Sequence, residues 1–206
     1  MGAVNHTRTR TLFLAASASL VLSTGACSSD SDTSSPATTS SSASTSSAAT
    51  AAGASTCPTA PVEASATPEW TLDGDTGSIA VVGSTDTTAP SVTVGAPFSV
   101  AETQVKTLKP GDGPVVAADA SVSVCYMGVN GRDGSTFDSS YERGRPVEFP
   151  LDRVVAGFQK AIAGQTVGST VAVAVTSADG YASGNPAAGI EPGDSLIFAI
   201  SILSAS

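Results

Sequence analysis

Apolar side chains follow four regimes along this chain. Residues 11–22 carry an apolar run, Leu12-Phe13-Leu14-Ala15-Ala16 through Leu20-Val21-Leu22. From Ser28 to Thr56 large apolar residues disappear and the chain is almost entirely Ser, Thr and Ala. Short apolar stretches return between residues 57 and 95, at Ser78-Ile79-Ala80-Val81-Val82 and Ser91-Val92-Thr93-Val94, which predict strands. Around them, Thr59-Ala60-Pro61 and Ala66-Thr67-Pro68 predict loop. From Gln104 the pattern is regular to the end.

In that last regime Val105 and Leu108, followed by Lys109-Pro110-Gly111-Asp112-Gly113, predict a strand and a tight turn. Ser121 to Met127 alternates as a half-buried strand does. Asn130-Gly131 and Asp133-Gly134 mark a hairpin turn before Ser135-Thr136-Phe137, and Val147-Glu148-Phe149 reads as another short strand. Val154, Val155, Phe158 and Ile162 recur on one helical face. Asp152 stands as its N-cap and Gly164 as its C-terminal glycine. Thr170 to Val175 alternates again, with Val171, Val173 and Val175 on one side. A long loop with Gly180, Gly184, Pro186, Gly189 and Pro192 leads to a last strand from Leu196 to Leu203. Five or six antiparallel strands and one short amphipathic helix predict an α+β domain with the helix covering one sheet face.

These regimes divide the chain into residues 1–26, 27–58, 59–95 and 96–206. The first is a signal peptide: Arg8 and Arg10 precede an apolar run too short for a permanent span, and small residues follow. Its end, Leu22-Ser23-Thr24-Gly25-Ala26-Cys27, resembles the lipobox of bacterial lipoproteins, with Thr24 departing from the usual Leu. That resemblance implies lipidation of Cys27, anchoring in the cell membrane and an extracytoplasmic location. Two acyl chains hold far more firmly than one. Residues 27–58 read as a flexible tether, because they cannot offset chain entropy by burial; their reach is roughly 30 Å. Residues 59–95 read as an extended segment packing on the main domain, with Trp70 as its packing anchor.

Charge and composition narrow the chemistry. The formal net charge is −9, and a chain beginning at Cys27 loses Arg8 and Arg10 and becomes more acidic still. Neither nucleic acid nor an anionic lipid surface is then an electrostatic partner. The lone His6 lies in the leader, so the mature chain has no imidazole base, and no pair of its three cysteines has metal-ligand spacing. No metal or cofactor is expected. Export permits a disulfide between Cys57 and Cys125, but Cys125 in mid-strand reads rather as a buried free thiol.

Several segments together resemble FKBP-type peptidyl-prolyl cis-trans isomerases. They are Gln104–Gly113, Val124-Cys125-Tyr126-Met127-Gly128, Thr136-Phe137-Asp138-Ser139-Ser140, Val154-Val155-Ala156-Gly157-Phe158, Val167-Gly168-Ser169, Asp179-Gly180-Tyr181 and Gly189-Ile190 through Leu196-Ile197-Phe198. The resemblance spans roughly half the chain, with the motifs in the family's order. It implies a half-barrel sheet wrapped around one short helix, with an aromatic pocket between them. Tyr126, Phe137 and Phe198 would be pocket walls and Phe158 the floor, where many members carry Trp. Val154 and Val155 would lie at the edge, the Val155 amide donating to a substrate carbonyl. Tyr181 would donate its hydroxyl to bound peptide, Asp138 would line the rim beside Arg143, and Ile190 would come from the loop over the site. Val147 stands where many members have an aromatic, which implies a thinner wall there.

The implied activity is isomerisation of X–Pro bonds in exported polypeptides, by a monomer, with macrolides such as tacrolimus or rapamycin as ligands of the same pocket. A proline-peptide-binding or chaperone module with little turnover fits the same residues. Rotation about an amide makes and breaks no bond, so the lack of a nucleophile, base or metal agrees with either reading.

Overall fold

The computed structural model describes residues 56–206. The signal peptide, Cys27 and nearly all of the tether lie outside the described residues. Nine strands and one helix follow in chain order: β1 (Trp70–Asp73), β2 (Thr76–Val82), β3 (Ser91–Ser99), β4 (Gln104–Lys109), β5 (Ser121–Asn130), β6 (Thr136–Ser139), β7 (Val147–Pro150), α1 (Ala156–Ile162), β8 (Thr170–Val175) and β9 (Leu196–Ala205).

Strands β4 to β9 form one antiparallel sheet in the order β4-β8-β9-β5-β6. β9 pairs with β5 along its length, while β7 and β6 share β5's other edge, β7 from Ser121 to Val124 and β6 from Met127 to Val129. Alternation sorts the side chains onto two faces. Val122, Val124, Val171, Val173, Val175, Phe198, Ile200 and Ile202 form one core with Phe158, Ala161 and Ile162 of α1. Each fully buried Val, Ile or Phe contributes about 1.5–3 kcal/mol of transfer free energy.

The opposite face is covered as well. β1, β2 and β3 make a second antiparallel sheet. Its Ile79 and Val81, with Phe98, pack on Val129, Ala172, Ala174, Ile197 and Ala199. Every residue of β8 is therefore buried. Its valines fill the space against the helix, and its alanines let the second sheet lie close. Trp70, on β1, is half-buried against this second core. The chain crosses residue 95 in mid-strand, since β3 runs on to Ser99. Cys57 and Cys125 are joined in a disulfide, which ties the start of the described chain to β5.

The helix begins later than its apolar spacing predicts. Asp152 is not its N-cap; it is exposed in a 3₁₀ turn, Leu151–Arg153, and Val155 caps α1 without a side-chain bond. Val154 and Val155 are extended, with ψ of 169° and 145°, so they do not share the helical face of Phe158. Two β-branched residues in succession favour that extended backbone. The C-terminal glycine is as expected: Gly164 follows the helix at φ +81°.

Candidate functional site

A cleft of about 360 Å³ opens between α1, the 3₁₀ turn before it and the concave face of the large sheet. That volume lies in the range of small-ligand sites, roughly 300–1,000 Å³. Phe158, buried on the first turn of α1, is its floor. The Phe158 ring meets Tyr126, Phe149 and Phe198 edge to face, with centroids 5.6, 5.4 and 5.2 Å away. Phe198 meets Phe137 the same way at 5.6 Å. Edge-to-face pairs satisfy the ring quadrupoles while leaving a concave space above the floor. Val147, Val154 and Val155 complete the apolar lining.

Gly128 makes the wall. A Cβ there would lie 2.6 Å from Cζ of Phe137 and 3.0 Å from Cε1 of Phe198, so only glycine lets these rings meet over β5. The β5–β6 ladder shifts register between Gly128 and Val129. Such a bulge re-aims side chains, and the neighbours Phe137 and Asp138 both reach the cleft.

The rim carries a compact polar group. The Tyr126 hydroxyl donates to Oδ2 of Asp138, and Nη1 of Arg143 donates to Oδ1. Burial acts to raise Asp138, but the bonds from Tyr126 and then Arg143 outweigh it and hold the carboxyl below its ordinary range. Burial, then the bond to Asp138 and its charge, push the Tyr126 hydroxyl up to about 12. At neutral pH the rim therefore holds a carboxylate, a neutral phenol and a guanidinium. The Val155 amide and the Tyr181 hydroxyl, both half-buried at the cleft, have no hydrogen-bond partner among the described residues. Both residues line the cleft.

Of the residues singled out in the sequence, Tyr126, Phe137, Asp138, Val147, Val154, Val155, Phe158, Tyr181 and Phe198 come together at this cleft. Ile190 does not. It is 1% exposed and belongs to the core beneath. Its backbone bonds back to Asn185 at 2.8 and 3.0 Å, closing a tight loop that turns the side chain inward. Two lining residues were missed, Phe149 and Arg153. Phe149 sits two residues beyond Val147 on β7 and faces the same way, so the wall expected to be thin has an aromatic ring. The period of two was the signal that could have found it.

A profile of the FKBP-type peptidyl-prolyl cis-trans isomerase family matches residues 113–203. Over 107 residues the chain is 34% identical to the FK506-binding protein of Streptomyces anulatus, covering 50% of this chain and 86% of that one. The chain belongs to the FKBP-type peptidyl-prolyl cis-trans isomerases. It is also 35% identical over 98 residues to a probable FK506-binding protein of Corynebacterium glutamicum, covering 46% of this chain and 80% of that one. A crystal structure of the Pseudomonas syringae peptidyl-prolyl cis-trans isomerase is similar at 31% identity and a TM-score of 0.46, over 50% of this chain and 75% of that one.

An FKBP-type site has one chemical task, to let a planar amide twist. The barrier is about 18–20 kcal/mol because twisting breaks resonance. Resonance places charge on the amide oxygen, and water stabilises that planar form. A cleft walled by aromatic rings withdraws the stabilisation. Donors at its edge then favour the twisted geometry over the ground state. A thousandfold acceleration needs only about 4 kcal/mol of such differential binding.

Proposed function

We propose that this FKBP-type isomerase works at the outer face of the cell membrane, held there by lipid on Cys27, and speeds cis–trans interconversion of X–Pro bonds in exported polypeptides as they fold. The cleft carries the reading. It combines an aromatic floor and walls, a rim whose carboxylate is already bonded, and two unpartnered donors. The proline ring rests on Phe158 between Tyr126, Phe137 and Phe198. The Val155 amide donates to a substrate carbonyl, Tyr181 donates to the peptide on the far side, and Asp138 fixes the Tyr126 ring. Val147, Val154 and Phe149 close the edge.

Two features support the compartment. The leader and Gly25-Ala26-Cys27 carry the export and lipidation pattern. The bridge from Cys57 to Cys125 is of a kind that persists in oxidising surroundings. The monomer reading is supported by the surface: the exposed large apolar residues among those described, Val105 and Val115, are few and separate. The Streptomyces anulatus relative is named for binding FK506, and we extend this to the present chain, with tacrolimus and rapamycin as ligands of the same cleft.

The deciding experiment is exchange NMR on a proline peptide with the mature chain. Faster cis–trans exchange, lost in Phe158→Ala and blocked by saturating tacrolimus, is expected. Peptide binding without faster exchange would make the protein a binding module instead. Membrane fractionation of Cys27→Ala tests the anchor, and a variant that stays on the membrane would remove it from the proposal.

A further inference from the structure

The rim of the cleft depends on a turn, and that turn is held by residues far upstream. After β6 the chain runs through Ser140–Arg145 to β7, and Arg143 stands on this segment. Ser140 occupies both backbone groups of Tyr126: its amide donates to the Tyr126 carbonyl at 2.9 Å, and its hydroxyl accepts from the Tyr126 amide at 2.8 Å. Directly behind lies the disulfide. Cys125 adjoins Tyr126 in β5, and Sγ of Cys57 is 3.5 Å from the Ser140 hydroxyl. The Cys57 amide donates to the Gly144 carbonyl at 3.2 Å, at a residue with φ +66°. Tyr141 is buried among Cys57, Ala89 and Cys125, and its hydroxyl donates to Ser84 at 2.8 Å.

We propose that two ties from the segment upstream of the family match, the Cys57–Cys125 bridge and the Ser84–Tyr141 bond, position the isomerase site by fixing the turn that brings Arg143 to Asp138. The family profile begins at residue 113, so Cys57 and Ser84 lie outside it. Without them the start of the turn keeps the Ser140–Tyr126 bonds, but the stretch carrying Arg143 keeps only its own short bonds, Glu142 to Ser139, Gly144 to Tyr141 and Arg145 to Ser140, and the Arg143–Asp138 pair. That pair is 38% exposed on each side. An exposed ion pair of this kind contributes too little to order a turn by itself. Loosening the turn frees Arg143, leaves the Tyr126 hydroxyl as the one side chain bonded to Asp138, and lets the Tyr126 wall shift. Cys57, Ser84, Ser140 and Tyr141 are thus positioning residues for the Tyr126–Asp138–Arg143 group. The proposal rests on reading that group as the rim of the prolyl site.

The test uses the mature chain with Cys57→Ser/Cys125→Ser, Ser84→Ala and Tyr141→Phe, at a temperature where circular dichroism shows each folded. A misplacement of ~1 Å can cost up to about a hundredfold, and we expect kcat/KM for a proline peptide to fall about tenfold, mainly in kcat. Ser84→Thr, which keeps the hydroxyl, should restore activity. In an Asp138→Asn background the same changes should cost less than about twofold, because the group they position is already disabled. Val81→Ala, which loosens the second core without touching the turn, should lower Tm and spare kcat/KM. Losses that multiply unchanged in the Asp138→Asn background would overturn the proposal, as would variants with lowered Tm and full activity. If Asp138→Asn alone leaves exchange untouched, the rim assignment itself fails and takes the proposal with it. The Ser84 and Tyr141 variants keep the bridge, so the outcome stands even if the cysteine variant does not fold.

Discussion

Gly128→Ala is the sharpest test of the cleft, because it alters one atom at a point where the geometry is fully specified. The new Cβ would stand 2.6 and 2.8 Å from two atoms of the Phe137 ring and 3.0 Å from the Phe198 ring, where ordinary contact begins at 3.4 Å. Phe137 must therefore retreat by about 0.8 Å into the cleft it walls, or Phe198, buried in the close-packed core, must tilt against the floor. Overpacking of this size costs about 1–3 kcal/mol of stability. For a domain of this length that is a fall in Tm of about 2–12 °C. The effect on catalysis should be larger than the effect on folding. A wall displaced by nearly 1 Å no longer complements the twisted amide, and a loss of about a hundredfold in kcat/KM is expected. Exchange NMR on a proline peptide reads the activity, and thermal unfolding reads the stability. An alanine variant that keeps kcat/KM within about threefold of the parent would refute the assignment of Phe137 and Phe198 as facing walls.

Phe149→Ala should cost about 2 kcal/mol, since the ring is only half-buried, and should lower kcat/KM at least about tenfold by removing the ring that abuts Phe158; urea unfolding and the exchange assay check the two parts. Cutting the bridge in Cys57→Ala/Cys125→Ala should lower stability by as much as about 4 kcal/mol, because the two cysteines are 68 residues apart and the open chain regains that loop entropy; an unchanged urea midpoint would contradict it. Asp138 and Asp194 are both held below their ordinary range, Asp194 because bonds from Asn130, the Glu191 amide and Arg132 outweigh its burial. Their stabilisation is present above about pH 4 and is lost as pH falls through the depressed values. Tyr126, pushed up to about 12, adds stability that is full below about pH 10 and is lost as pH rises through 12. A plateau in both kcat/KM and urea midpoint between about pH 5 and 9 is the expected result, and an acid-side maximum would contradict it.

How much of this could be read from the chain alone depended on which period each segment obeyed. Ser121–Met127 alternates in sequence and in space: Val122, Val124 and Tyr126 join the core under the helix, while Cys125 and Met127 pack on the other side in a small cluster with Cys57 and Tyr141. β8 also alternates, but between valine and alanine, and both sets are buried. Alternation of size reports two apolar neighbours at different distances, so the second sheet left a trace that a hydrophobic-versus-polar reading did not use. β1 escaped because Trp70-Thr71-Leu72-Asp73 is too short to show a period, and pairing with β2, from Trp70↔Val81 to Asp73↔Ser78, is what makes it a strand. Pairing between distant segments also decides the thiols: Cys125 in mid-strand reads as a free thiol from its own surroundings, and the fold corrects this by bringing Cys57 beside it.

The errors at the site share a physical origin. Val154 and Val155 satisfy helical spacing with Phe158, and the spacing is real, yet their branched side chains hold an extended backbone and the helix starts after them. That break is what the site needs. At the N-cap the Val155 amide has no intrahelical carbonyl to donate to, and the residue lies in the cleft lining. The same logic explains Ile190 and Phe149. Being near a site in sequence does not decide whether a side chain points into it: Ile190 turns under the floor because its loop closes on Asn185, whereas Phe149 reaches the cleft because β7 keeps strict alternation from Val147. A thinner wall at Val147 was a conclusion about one position, and the wall is made by a face. Restoring an aromatic at Val147 would therefore crowd a cleft already closed by Phe149, and Val147→Phe should narrow substrate range rather than raise kcat/KM. A several-fold rise in turnover on a simple proline peptide would show that the wall at β7 was open after all.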